Sequence, residues 1–139
     1  MGGSVCTGAE VEARAGFPNL RGKRLALVTN HTTVCPSRHL IDLLAECGEV
    51  ELVALFAPEH GLWGTEQGEF ASGVHPRLNV PIYSLYGESV KPSVETLRGA
   101  ETLLFDIQSV GVRFYTYETT MRYSLEAAAE ARVPFVVLD

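Results

Sequence analysis

Apolar residues come in short, nearly unbroken runs separated by polar, glycine-punctuated stretches. Leu25-Ala26-Leu27-Val28-Thr29, Glu51 to Phe56, Pro81 to Tyr86, Thr102 to Ile107 and Phe135-Val136-Val137-Leu138 all have the length of a strand. Near-continuous apolarity over that length marks strands covered on both faces. Between the first two runs the period becomes helical: Leu40, Ile41, Leu44 and Cys47 share a face, with Ser37 as the expected N-cap and Gly48 as the closing residue. A short helix is predicted from Pro92-Ser93 to Gly99. A longer one spans about Thr116 to Arg132, with Tyr117, Met121, Leu125 and Ala128 as its core stripe, and Pro134 prevents its continuation. Residues 1–20 are weakly patterned: Glu10 to Ala15 fits a helical turn that Gly16-Phe17-Pro18-Asn19 breaks. Ala57 to Val80 carries no sustained period.

Strands alternating with helices predict an α/β fold, a mainly parallel sheet of about five strands with helices on both faces and right-handed crossovers. One domain over 21–139 follows the weakly structured segment 1–20. A chain of 139 residues suffices for one core, burying roughly two-thirds of its unfolded surface.

Charge narrows the partners. The net charge is −6, without a basic run or basic–aromatic alternation, which disfavours a nucleic-acid partner on electrostatic grounds, and none is expected. No apolar segment approaches the ~20 residues that span a bilayer, so no membrane span is expected. The opening MGGSVCTGAEVEARAG lacks a basic region followed by an apolar core, so no signal peptide is read in this chain. Compartment is left undetermined by this, because a leader can be cleaved. Cys6, Cys35 and Cys47 are odd in number and form no CxxC, indicating neither a disulfide framework nor a cysteine zinc site. Cys47 reads as a small core residue, and Cys35, in a loop before Pro36, has no activating neighbour.

In an open α/β sheet, ligands bind beyond the carboxyl ends of the strands. There the chain offers Thr29-Asn30-His31, Ala57-Pro58-Glu59-His60-Gly61, Ser84-Leu85-Tyr86-Gly87, Asp106-Ile107-Gln108 and Asp139. Every strand thus delivers a polar group to one rim. The densest stretch is FDIQSVGVRFYTY (105–117), where a buried strand opens into Asp106, Gln108, Gly111, Arg113, Tyr115 and Tyr117. A connection that only reversed the chain would favour Gly, Pro, Asn and Asp. One reading is a structural loop whose Arg113 pairs with an acid; the other is half of a polar pocket.

Known chemistries can be set against this rim. The segment after the first strand, TNHTTVCPS, contains no glycine, and no GxxxxGK[ST] occurs, so a nucleotide-binding fingerprint is missing. The glycines at 61, 64, 68 and 73 follow the second strand at the wrong spacing. His31, His39, His60 and His75 are scattered without HExxH or HxH, so no metal and no cofactor are expected. Glu59 and His60 are adjacent and on regular backbone point apart; sharing a ligand would need a special turn. Glu59 follows Pro58, with Gly61 and Gly64 beyond it and Trp63 and Phe56 near. Burial there would raise its pKa, as a general acid near neutral pH requires. A loop-capping carboxylate is the alternative. Asp106, the second carboxylate, is expected to fix Arg113 or accept backbone N–H groups.

Together LFAPEHGLWG (55–64), PIYSLYG (81–87), FDIQSVGVRFYTY (105–117) and FVVLD (135–139) resemble the bacterial exo-β-N-acetylmuramidase family, formerly a domain of unknown function. The likeness runs from about residue 20 to 139, in matching order. It implies a Rossmann-like N-terminal catalytic domain, a C-terminal domain that completes the cleft, and release of N-acetylmuramic acid from non-reducing ends of peptidoglycan fragments. It further implies a role in bacterial cell-wall recycling and a secreted or periplasmic location. Glu59 stands at the catalytic acid/base position, and Asn30, His60, Tyr86, Asp106, Gln108, Arg113, Tyr115 and Tyr117 at positions expected to line the sugar site. Arg113 would suit the lactyl carboxylate, because a guanidinium fork binds carboxylates bidentately. Three positions depart from the family pattern: Thr33 replaces the glycine of TNxTG, Ser109 the second Asp of DIQDVG, and Trp63 a frequent Arg.

Family members continue VLD into RPNP and run well beyond this length, so the chain is expected to be a fragment, weakly active or inactive alone. Two rivals stand beside a hydrolase: a non-catalytic peptidoglycan- or sugar-binding module, and a small-ligand or nucleotide-binding α/β domain.

Overall fold

The computed structural model describes residues 5–67 and 71–138. In chain order the elements are α1 (Gly8–Arg14), β1 (Arg24–Thr29), β2 (Val34–Cys35), β3 (Arg38–His39), α2 (Leu40–Cys47), β4 (Glu51–Ala57), β5 (Gly73–Val74), β6 (Pro81–Ser84), β7 (Thr102–Asp106), α3 (Tyr117–Ala131) and β8 (Phe135–Val137). Six strands form one sheet in the order β5-β6-β4-β1-β7-β8, parallel throughout except for β5 on β6. The five expected strands are therefore present, with a short antiparallel strand added inside the unpatterned 57–80 segment. Two residues named from sequence, the loop glycine Gly68 and the rim residue Asp139, lie outside the described residues.

The sheet separates two apolar layers. On one face α1 and α2 contribute Ala9, Leu40, Ile41 and Leu44 against Leu25, Leu27, Leu55 and Leu104. On the other, α3 sets Tyr117, Ala127 and Ala128 against Ala26, Val28, Phe56, Leu103 and Phe105. Odd and even positions of β1 face opposite layers, as the pleat demands. In β4 that phase is reset: Leu25 pairs with Leu52 but Ala26 with Ala54, so Val53 is an extra residue. Leu52 and Ala54, two apart, consequently serve opposite layers.

Four sequence expectations need correction. Ser37 does not cap α2. Pro36-Ser37 joins β2 to β3 in a hairpin, and His39 is the N-cap, its Nδ1 accepting from Ile41 N at 3.2 Å. Residues 92–99 form successive turns rather than a helix, although Leu97 still reaches the core. In α3, Met121 and Leu125 are 37% and 53% exposed, and the buried face is Tyr117, Thr120, Ser124, Ala127 and Ala128. Cys35, expected in a loop, is buried in β2, and burial pushes its thiol pKa up, with the Asp106 carboxylate adding to the rise.

The chain leaves β1 through α2 toward β4 on one side and returns through β7 to β8 on the other, with α2 and α3 on opposite faces. The carboxyl ends of β1 and β7 therefore flank the topological switch point, where this architecture opens a crevice.

Candidate functional site

At the end of β1, Asn30 is fully buried. Its Oδ1 accepts from the Thr32 backbone N at 2.9 Å and from Thr32 Oγ1 at 2.7 Å, an Asx turn closed by a second bond. His39 Nε2 lies 2.8 Å from the Asn30 carbonyl; because Nδ1 accepts from Ile41, Nε2 carries the proton and donates it. The β7 exit is tied to the same turn. Gln108 N donates to Thr32 Oγ1 at 3.0 Å, and Thr33 Oγ1 donates to the Asp106 carbonyl while accepting from Thr29 Oγ1 at 2.8 Å.

At the end of β4 the chain turns sharply, Gly61 N donating to the Pro58 carbonyl at 3.0 Å. His60 takes φ +72°, a left-handed conformation that disfavours residues with a Cβ. Glu66 holds it there: Glu66 N donates to the His60 carbonyl at 3.1 Å, and His60 Nδ1 lies 3.2 Å from the Glu66 carbonyl. That carbonyl only accepts, so Nδ1 is the protonated nitrogen and Nε2 is left for the cleft. This is the special turn that regular backbone lacked, and it brings Glu59 and His60 into one cavity.

That cavity, of ≈ 210 Å³, is lined by Glu59, His60, Phe114, Tyr115, Thr116 and Tyr117. A second, of ≈ 320 Å³, shares His60, Tyr115 and Tyr117 with it and adds His31, Thr32, Gly64, Gln108 and Val110. They are two lobes of one cleft. Along its wall Phe114 and Tyr115 have ring centroids 6.0 Å apart, and Tyr115 and Tyr117 meet edge-on at 5.3 Å. Gly64 forms part of the floor at φ +71°, where a Cβ would overlap the His31 ring.

Tyr117 is the buried member of the aromatic wall. Burial raises its phenol pKa above the ordinary value, the neighbouring Tyr115 and the Glu59 carboxylate push it the same way, and the facing Asn30 amide pulls it down. Asn30 Nδ2 itself is buried and has no partner at hydrogen-bond distance.

Among the residues named from sequence, Glu59, His60, Gln108, Tyr115 and Tyr117 line the cleft, while Asn30 is fully buried and lines neither lobe. Asp106 lines a separate cavity of ≈ 150 Å³ with Ser109, Glu118 and Met121, which includes Tyr117 but not Glu59. Arg113 is exposed and lines neither lobe, and the half-buried Tyr86 lies outside both as well. Sequence reasoning did not carry His31, Thr32, Phe114 and Thr116 into the site. For Thr32 a signal existed: its position two residues beyond a rim asparagine is that of an Asx turn.

A three-layer α/β domain with an aromatic, carboxylate-bearing cleft at its switch point is the class these features define. Residues 25–139 match the family model described as exo-beta-N-acetylmuramidase NamZ, N-terminal, and the chain belongs to that family. It is 48% identical over 123 residues to the peptidoglycan beta-N-acetylmuramidase NamZ of Bacillus subtilis (strain 168), covering 86% of this chain and 30% of that protein. A crystal structure of a DUF1343 family protein from Bacteroides fragilis NCTC 9343 superimposes with a TM-score of 0.84 at 43% identity, over 96% of this chain and 34% of that one. A second DUF1343 protein of the same organism gives 0.80 at 37% identity, over 99% and 35%. The chain thus spans about a third of the length of these relatives.

Proposed function

We propose that this domain carries the catalytic acid/base of a glycoside hydrolase that releases N-acetylmuramic acid from the non-reducing ends of peptidoglycan fragments. Glu59 protonates the departing glycosidic oxygen as the sugar passes through an oxocarbenium-like transition state. The observation that carries this reading is the shared cavity of Glu59 with Tyr115 and Tyr117. A carboxylate beside aromatic faces suits a pyranose ring, whose apolar C–H faces pack on aromatic rings while its hydroxyls seek polar partners. His60 and Gln108 serve as sugar-side partners, the buried Asn30 supports the turn that holds Thr32 and Gln108, and Asp106, Arg113 and Tyr86 engage substrate only once a C-terminal domain narrows the cleft. That the chain spans 30% of its Bacillus subtilis relative supports such a second half.

One observation favours a second reading, a non-catalytic peptidoglycan-binding module. Glycosidases commonly use two carboxyl groups, and Glu59 is the only one among the described residues lining either lobe. A chromogenic muramic-acid glycoside separates the two readings. The chain should turn it over weakly, and Glu59→Gln should abolish turnover while leaving binding intact. Binding with equal rates in both proteins would establish the module.

A further inference from the structure

The two lobes of the cleft differ in charge. Glu59 lines the smaller, of ≈ 210 Å³, whereas among the described residues no carboxylate lines the larger, of ≈ 320 Å³. The larger lobe presents His31, His60 and Gln108 instead. Thr32 is also on its wall, but its hydroxyl is already engaged, accepting from Gln108 N at 3.0 Å and donating to Asn30 Oδ1 at 2.7 Å. His60 donates through Nδ1 to the Glu66 carbonyl, so Nε2 of its neutral ring is an acceptor.

His31 is the donor of this lobe. Its ring makes no hydrogen bond with any other described residue. Gly64 seats it: the imidazole fills the space where any other residue would carry a Cβ, with Nδ1, Cε1 and Cγ the nearest atoms. The Cα–H bond of the glycine therefore points at Nδ1. A C–H is a weak donor and never an acceptor, so Nδ1 keeps its lone pair and the ring proton sits on Nε2. Nε2, the nitrogen turned away from the glycine, is thus an N–H donor for a lobe without an acid in its described lining.

N-acetylmuramic acid differs from N-acetylglucosamine by one group, a lactyl ether on the third ring carbon that ends in a carboxylate. With the glycosidic oxygen at Glu59, that ether leaves the ring two carbons away from the reacting centre. Two carboxylates crowded into the smaller lobe would repel each other at short range. The wall of His60, Tyr115 and Tyr117 is common to both lobes and leads from Glu59 to the side without an acid. Arg113, the residue that the resemblance suited to this carboxylate, is exposed and lines neither lobe. We propose that His31 Nε2 donates to the lactyl carboxylate, and that the larger lobe is the subsite by which this protein tells muramic acid from N-acetylglucosamine. The assignment rests on the hydrolase reading for where the sugar lies.

The test sets two ligands against the 139-residue chain, the methyl β-glycosides of N-acetylmuramic acid and of N-acetylglucosamine, titrated by NMR with nitrogen-labelled histidine rings. Wild type should bind the muramic-acid glycoside about tenfold more tightly, the worth of one charge-assisted hydrogen bond. That ligand alone should move the Nε2 resonance of His31. His31→Ala should lose about tenfold in affinity for the muramic-acid glycoside and change by less than about twofold toward the other. His31→Gln, whose amide nitrogen reaches the place of Nε2, should keep most of the preference. His31 is exposed, so neither replacement opens the core. Equal losses for both sugars in His31→Ala would mean that the lobe reads a group the two share, and would overturn the proposal. A preference that survives His31→Ala, or that His31→Gln fails to keep, overturns it too. Wild type that binds both glycosides equally removes the subsite and leaves the hydrolase reading standing; wild type that binds neither removes both.

Discussion

Thr33 donates its hydroxyl proton to the backbone carbonyl of Asp106, joining the ends of two neighbouring strands across 73 positions of sequence. The same oxygen accepts from Thr29 at 2.8 Å, so a short buried relay runs from β1 into the β7 exit. Thr33 is absent from the residues with positive φ, so threonine stands here without left-handed strain. The hydroxyl adds a tie that glycine could not supply.

Thr33→Val keeps the shape and removes both bonds. It should destabilise the chain by about 1–2 kcal/mol, the cost of leaving buried polar partners unmet. Urea denaturation checks this, and Thr33→Ser should recover most of the loss.

Gly64 and His31 offer a paired test. Gly64→Ala meets both a left-handed backbone and the His31 ring, and should cost about 1–2 kcal/mol. Adding His31→Ala removes the overlap and leaves only the backbone strain, so the double variant should lose less than the sum of the singles. Thermal unfolding of the four proteins measures the coupling; strict additivity would mean that the ring simply swings away.

His75 predicts a pH dependence. It is buried, its Nδ1 accepts from Leu78 N at 3.2 Å and Arg77 N at 3.4 Å, and its ring lies 5.5 Å from that of Trp63. Burial lowers its pKa below the ordinary 6.5, Arg77 and His39 act in the same direction, and Asp42 opposes them. The folded state therefore binds the proton less readily than the unfolded chain. Its contribution to stability is complete above pH 6.5 and declines as pH falls below that value. His75→Asn retains an acceptor for the turn without a titrating ring. It should flatten the acid side of the stability profile, measured by denaturation at a series of pH values.

The burial pattern of α3 yields opposite expectations for two of its positions. Leu125→Gln, on the exposed face, should change stability by no more than about 0.5 kcal/mol. Ala128→Leu, on the buried face, should cost about 1–3 kcal/mol through overpacking. Their unfolding midpoints decide which stripe faces the sheet.

That helix also marks where sequence reading reaches its limit. Parallel strands covered on both faces read as unbroken apolar runs, which is why β1, β4, β6, β7 and β8 were legible within a residue or two. A helix lying close on such a sheet selects for small side chains rather than oily ones. Thr120 and Ser124 fit there because each returns its hydroxyl proton to the helix, to the carbonyls of Thr116 at 3.2 Å and Thr120 at 2.7 Å. Hydropathy alone therefore chose Met121 and Leu125 and picked the wrong face. The convergence of Glu59, His60, Gln108, Tyr115 and Tyr117 was legible because the rim rule depends only on strand order. The left-handed turn at His60 was not, since positive φ is uncommon for any residue other than glycine and no turn signal marks it in the sequence. Nor was the hairpin that moved the cap of α2 from Ser37 to His39.

The unmatched Val53 in β4 bears on how this strand can tolerate insertions and deletions. Everything downstream in that strand, through Ala57, takes its side-chain phase from this one supernumerary position, and the turn that carries Glu59 follows directly on it. Excising it would leave the choice of moving Glu59 along the strand axis by about 3.3 Å or turning the oily side chains of Leu55 and Phe56 to the wrong layers. Strand length here thus sets where the rim carboxylate stands, and the backbone irregularity fixes how far into the cleft it extends.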